Sequence, residues 1–304
     1  TIAEANPKYL KRVQWLEMLV HVEATRLTAD GKPSEAISTL INLFFLGREI
    51  ADRDLSVEVY AGFSIMNRAQ SRIRDVAYQD FRAPKRGLEL QALRDLIKRL
   101  GDDQIRVPRI RFPIGDRYGI EQLVARAYGN GDKADGEKIG PMLARIATRD
   151  QPLKMFNESA RWAESARTMS NKAQMLESLG AVYGDWTARW QIDPFDARMR
   201  STFEYTKLSK GKFPIVGLLP DLTDFYDLRM VLTTEIIGTR TSLGVLGYFY
   251  EQNVFPRTIT SPRPAWVAAN EGDPFNPDER QRDGVPVLKY KRPVTDDDKK
   301  AEHL

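Results

Sequence analysis

Apolar side chains recur at helical spacing from the start of the chain, at Leu10, Val13, Leu16, Met18, Leu19, Val22 and Leu27, and the run stops at Asp30-Gly31-Lys32-Pro33. The spacing predicts a helix closed by a tight turn. Pro33 and Ser34 suit the start of a second helix, which Ala36, Ile37, Leu40, Ile41, Leu43, Phe44 and Leu46 carry to Gly47 and the polar break Asp52-Arg53-Asp54. A third follows through Leu55, Val59, Phe63, Ile65, Met66, Ala69, Ile73 and Val76. Gly62 inside it costs about 1 kcal/mol relative to alanine, which close packing on a neighbouring helix would explain. From Pro84 another amphipathic stretch places Leu88, Leu90, Leu93, Leu96, Ile97 and Leu100 on one face and ends at Gly101.

The pattern then lapses. Residues 101–119 are rich in proline, glycine and charge, Gly115 to Gly119 reads as a GDRYG loop, and Gly129-Asn130-Gly131-Asp132 and Asp135-Gly136 mark turns. Helices resume at Glu137 to Thr148 and, after Pro152, through Met155, Trp162, Ala166, Met169, Met175, Leu176 and Leu179, ending near Gly180. Asp193-Pro194 opens a further helix through Phe195, Met199, Phe203 and Leu208, and Phe213 to Leu219 is a short apolar crossing. Leu222 to Tyr250 is long and helical; beyond Asn253, seven prolines make an extended tail whose best strand is Val287 to Tyr290.

The expected fold is therefore mainly α: a repeat-like array of helical hairpins with an extended, proline-rich C-terminal tail and little β-structure. Residues 1–100 form the N-terminal hairpins, 101–136 a connecting segment, 137–252 the C-terminal helices and 253–304 the tail. The first two helices resemble a tetratricopeptide-like hairpin, with a D-G-K-P-S turn followed by Glu35-Ala36-Ile37, but the 34-residue period does not recur.

Composition narrows the chemistry. The 304 residues contain no cysteine and two histidines, which removes thiolate nucleophiles, disulfides and Cys/His zinc sites. A serine triad would have to use His21, inside an apolar helical pattern, or His303, in the charged C-terminal end. No P-loop, strand-borne GxGxxG, HExxH or GxSxG occurs, and no motif calls for a cofactor. Asp221, Asp224 and Asp227 cluster where the long C-terminal helix begins, which capping and the helix dipole explain. Glu158 and Glu164 with Arg161 and Arg167 read as a salt-bridged exposed face. A net charge of +4 compels no polyanionic partner, and no nucleic acid is expected. The densest cations, Arg99, Arg106, Arg109, Arg111 and Arg117, alternate with Asp102, Asp103 and Asp116. They read first as a surface crossing and second as an anion-binding strip at Arg106, Arg109 and Arg111.

No window reaches the roughly 20 apolar residues of a membrane helix. The chain starts at Thr1 without an initiator methionine, which leaves room for an anchor once present upstream. The absence of cysteine favours an exported compartment.

Aromatic residues supply the candidate contacts. Tyr183, Trp186 and Trp190 share one helical face and read as core or as a partner groove before a stacking platform. In the tail, Phe255, Trp266, Phe275 and Tyr290 could lie across another surface at little entropic cost.

The order of a long helix containing Arg240, then Tyr248-Phe249-Tyr250-Glu251-Gln252-Asn253-Val254-Phe255-Pro256, Asp273-Pro274-Phe275-Asn276 and Pro286-Val287-Leu288-Lys289-Tyr290, resembles a group of uncharacterised bacterial envelope proteins. Leu46-Gly47-Arg48-Glu49-Ile50-Ala51 looks like the first hairpin of the same group. The closing element is similar to the C-terminal half of type II secretion pseudopilins. That comparison would imply a calcium ion, for which Asp273, Asp278 and Asp283, with Asn276 and Glu279, are the weak candidates; a solvated acidic loop is the simpler reading.

The resemblance and the exclusions together imply a non-enzymatic assembly subunit, periplasmic or otherwise in the cell envelope, whose partners are proteins, a second copy included. The alternatives are a carboxylate-based glycan-active enzyme and an anion- or lipid-binding helical module.

Overall fold

A computed structural model describes residues 7–101, 109–135, 171–192, 197–209 and 222–267. Among these the chain is mainly α-helical and contains no strand. The helices are α1 (Tyr9–Ala29), α2 (Pro33–Ala51), α3 (Ser56–Arg82), α4 (Leu90–Leu100), α5 (Gly115–Tyr128), α6 (Lys172–Gln191), α7 (Glu204–Ser209) and α8 (Asp224–Gln252), with a 3-10 turn at Ala197–Arg200. The expected helix Glu137 to Thr148, the stretch from Met155 to Met169 with Glu158, Arg161, Glu164 and Arg167, the crossing Phe213 to Leu219 and the strand Val287 to Tyr290 lie outside the described residues.

The chain forms two compact units, each assembled from separated segments: Thr1–Leu16, Gly47–Ser64 and Pro108–Arg229 in the first, and Glu17–Leu46, Ile65–Val107 and Met230–Leu304 in the second. These do not follow the sequential division expected from composition.

In the first unit the core is aromatic. Phe112 lies 5.6 Å from Trp190 and 6.1 Å from Trp186, ring centre to ring centre, and Tyr183 meets Trp186 edge-on at 5.2 Å. Edge-to-face packing of this kind adds about 0.5–1.5 kcal/mol per pair beyond the area buried. The polar edge of the Trp190 indole is also satisfied, since Nε1 donates to the Ile110 carbonyl at 2.6 Å. Gly62 on α3 permits the contact expected of it: a Cβ there would lie 2.5 Å from both the Ala51 nitrogen and the Gly47 carbonyl oxygen of α2.

Three corrections arise in this unit. The GDRYG segment is no loop but the first turn of α5, whose Ile120, Leu123, Val124 and Ala127 are buried at three- and four-residue spacing. It starts there because Gly115 N–H donates to the Asp54 carbonyl at 2.7 Å, an approach a side chain would block. Nor does α6 end at Gly180: it runs from an Asn171 cap, whose side chain accepts from Gln174 N–H, to Gln191, passing through Gly180 and Gly184. The helix expected from Asp193-Pro194 to Leu208 is interrupted, with the 3-10 turn and the short α7 in its place among the described residues.

In the second unit the α1–α2 turn is a Schellman closure: Lys32 N–H donates to the Leu27 carbonyl at 2.9 Å, and Gly31 takes the left-handed φ of 74°. Leu40, Ile41 and Phe44 of α2, Met66, Ala69 and Ile73 of α3, Leu93, Leu96 and Ile97 of α4, and Leu243 of α8 are buried. Residues 253–267 do not extend away as a tail. They turn at Asn253, with a left-handed φ of 56°, and return onto α8, where Gly247 leaves room for the Trp266 ring and Gly244 for Val267. A Cβ at 247 would come within 2.3 Å of the indole.

Candidate functional site

Helix α1 buries the two ends of its apolar pattern and leaves the middle exposed. It buries Leu10, Glu17, Ala24 and Leu27, a set in which 10, 17 and 24 repeat every seventh residue. Glu17 is tolerated inside because Arg68 grips it with two nitrogens, Nη2 lying 2.7 Å from Oε2. Leu16, Met18, Leu19 and Val22, which carry the middle of the helical pattern, face outward with Trp15; Trp15 is 60% exposed, Leu16 47%, Met18 and Leu19 each 65% and Val22 66%. Residues 15, 18, 19 and 22 fall on one side of a 3.6-residue helix, so they form a continuous strip. Scattered apolar residues on a surface are ordinary; a contiguous strip of five on one helix is not.

The strip has unlike ends. Lys8, Lys11 and Arg12 are exposed on its N-terminal side and form no ion pair among the described residues. On its C-terminal side Arg26 is held between Glu23, at 2.7 Å, and Asp30, at 2.6 Å, a closed network with one carboxylate in excess. His21 sits behind the strip with Nε2 3.8 Å from Glu17 Oε1, and burial holds its pKa below the usual imidazole value despite that carboxylate.

The residues singled out from sequence fall elsewhere. Tyr183, Trp186 and Trp190 are interior side chains, so they present no ring face to a partner or a sugar. Trp266 is also buried: its Nε1 donates to Glu251 Oε2 at 3.0 Å, and Arg94 lies 4.4 Å above its ring while pairing with Glu251 at 2.8 Å. Phe255 is half-buried and stacks at 4.5 Å on Phe249. It also borders an apolar groove of about 370 Å³ between α3 and α8, with Tyr78, Phe81 and Leu246. Of the four tail aromatics expected to reach another molecule, the two among the described residues thus contact their own chain.

Arg111 is taken by Asp52, its backbone N–H donating to Oδ1 at 3.0 Å and its Nη2 to the Asp52 carbonyl. Arg117 pairs with Glu121 at 2.8 Å, and Arg109 is exposed. Arg106, Phe275 and the acidic group Asp273, Asp278 and Asp283 lie outside the described residues, as do Asp221 and His303. Asp224 and Asp227 occupy the first turn of α8, as capping predicts.

One buried carboxylate was not anticipated. Asp116 accepts from Ser56 N–H at 2.9 Å, its other oxygen has no hydrogen-bond partner, and burial pushes its pKa up to about 6. It serves the N-terminus of α3, where the helix dipole favours a negative charge.

No helix among the described residues is long and apolar enough to cross a membrane. Compared with known proteins, the chain matches no family model, no curated protein and no solved structure.

Proposed function

We propose that this chain is a non-enzymatic assembly subunit that binds protein through the outward face of α1. The carrying observation is the strip Trp15, Leu16, Met18, Leu19 and Val22, left in water by a helix that buries Glu17 in its place. An apolar side chain of this size gains about 1.5–3 kcal/mol on full burial, so a partner covering the strip recovers what the fold leaves unused. Helix-in-groove and helix-on-helix recognition both read anchors at this spacing. The two unlike charged ends add orientation rather than affinity.

The test is site-specific photocrosslinking in the cells that make the protein. A crosslinker at position 19 is expected to capture protein, whereas one at the exposed Asp75 of α3 serves as the control. No protein adduct from position 19 defeats the reading. The bacterial envelope is the proposed compartment on the strength of the C-terminal sequence resemblance, and fractionation of those cells tests it: recovery with the cytoplasmic marker alone would overturn that placement.

A further inference from the structure

Resting on the assembly reading above, we infer that the occupant of the α1 strip is α1 of a second copy of this chain, lying antiparallel to the first. The argument is one of charge and symmetry. A two-fold axis near residues 18 and 19 sets Trp15 of one copy against Val22 of the other, and Met18 against Leu19, so the strip is its own complement. The same axis carries the exposed Lys8, Lys11 and Arg12 of each copy over the Glu23–Arg26–Asp30 network of the other, where the carboxylates outnumber the guanidinium. In a parallel pair the three cations of one copy would face the three of its mate, a repulsion that nothing else on the helix face offsets. The antiparallel arrangement also sets the helix dipoles head to tail. A lipid surface fits less well, because the acidic end of the strip would face the headgroups alongside the basic one.

The apolar strip covers about two helical turns, which places the contact at the small, weak end of specific interfaces. Sedimentation equilibrium of the whole chain up to about 200 µM should therefore show a reversible monomer–dimer equilibrium that tightens at low salt. Leu19→Lys should abolish it. Lys11→Glu with Arg12→Glu should weaken it by at least about tenfold, since the reversed charges meet carboxylates. Circular dichroism confirms that each variant is folded, which their exposed positions favour. A wild-type chain that stays monomeric overturns the inference, as does a dimer untouched by Leu19→Lys. A dimer strengthened by the double charge reversal reports parallel pairing and overturns it too. Binding of a monomeric chain to phosphatidylglycerol vesicles would assign the strip to lipid. If the wild type is monomeric while position 19 crosslinks to another protein, this inference fails and the assembly reading stands.

Discussion

The buried Arg189 and the partly buried Asp185, one turn apart on α6, form a pair with Nε 2.8 Å from Oδ1, and together they hold the chain that follows the helix. The remaining nitrogens of Arg189 donate to the Arg198, Ser201 and Thr202 carbonyls and to Ser201 Oγ, while Asp185 Oδ2 accepts from Glu204 N–H at the start of α7. Phe203 lies beneath the guanidinium at 4.0 Å. Arg189→Ala leaves Asp185 without its partner and several carbonyls without a donor, so a loss of about 3–5 kcal/mol is expected. Urea denaturation measures it; a loss under about 1 kcal/mol would mean that the 3-10 turn and α7 do not depend on this side chain.

At Gly62 the α2 backbone fills the space a side chain would need. Gly62→Ala improves helix propensity by about 1 kcal/mol, but the new methyl lies 2.5 Å from backbone atoms that cannot rotate away. Overpacking should win, giving a net loss of about 1–3 kcal/mol, read as a lower thermal midpoint. Gly184→Ala, where nothing stands within 4 Å of the added carbon, is the matched control and should stabilise.

Asp116 gives the protein a defined pH response. Its folded pKa, about 6, lies above the ordinary carboxylate value of 3.8, so the folded state binds the proton more tightly. Its contribution to stability is present below pH 4, falls as pH rises towards 6 and is absent above. Asp116→Asn should flatten the stability profile in that window and leave the wild type at a relative disadvantage at pH 7. An unchanged profile between pH 4 and 6 would show that Asp116 is not the group responsible.

Gly247 sets the position of Trp266. Gly247→Ala should displace the indole from α8 and break its bond to Glu251, with a red-shifted tryptophan emission and a loss of about 1–3 kcal/mol. Arg94→Ala tests the same place from the other side, since the cation over the ring is worth about 0.5–2 kcal/mol.

Much of the helical order could be read from spacing, because α2, α3 and α4 bury apolar residues where the 3.6-residue pattern puts them, while α8 buries Leu232, Ile237 and Leu243 of its pattern and leaves Val231 exposed. The α2 start at Pro33 and the α4 stop at Gly101 follow from local backbone chemistry alone. Helix α1 defeated the same reasoning. Its apolar residues cover more than one side, and which side turns inward was decided by Arg68, fifty-one positions away from Glu17. Periodicity carries no such information. The α5 pattern at Ile120, Leu123, Val124 and Ala127 was present in the sequence but overshadowed by the glycines at its start. In α6 the glycines were again given too much weight: buried Met175, Leu179, Val182, Tyr183 and Trp186 hold that helix through Gly180 and Gly184. Trp266 had a usable signal, two glycines three apart on a long helix followed by a turn and an indole, which together describe a seat and its occupant. The α1 strip itself had none, since an exposed strip and a core strip are written in the same residues.

Because α1, α2 and α3 each contribute to both compact units, neither unit is encoded by an uninterrupted stretch of the gene. A boundary placed between residues 17 and 229 leaves pieces of both units on each side, so products truncated there should lose cooperative folding as a whole. Within that range an exchange of segments between genes has no clean seam, because every crossover divides both units at once.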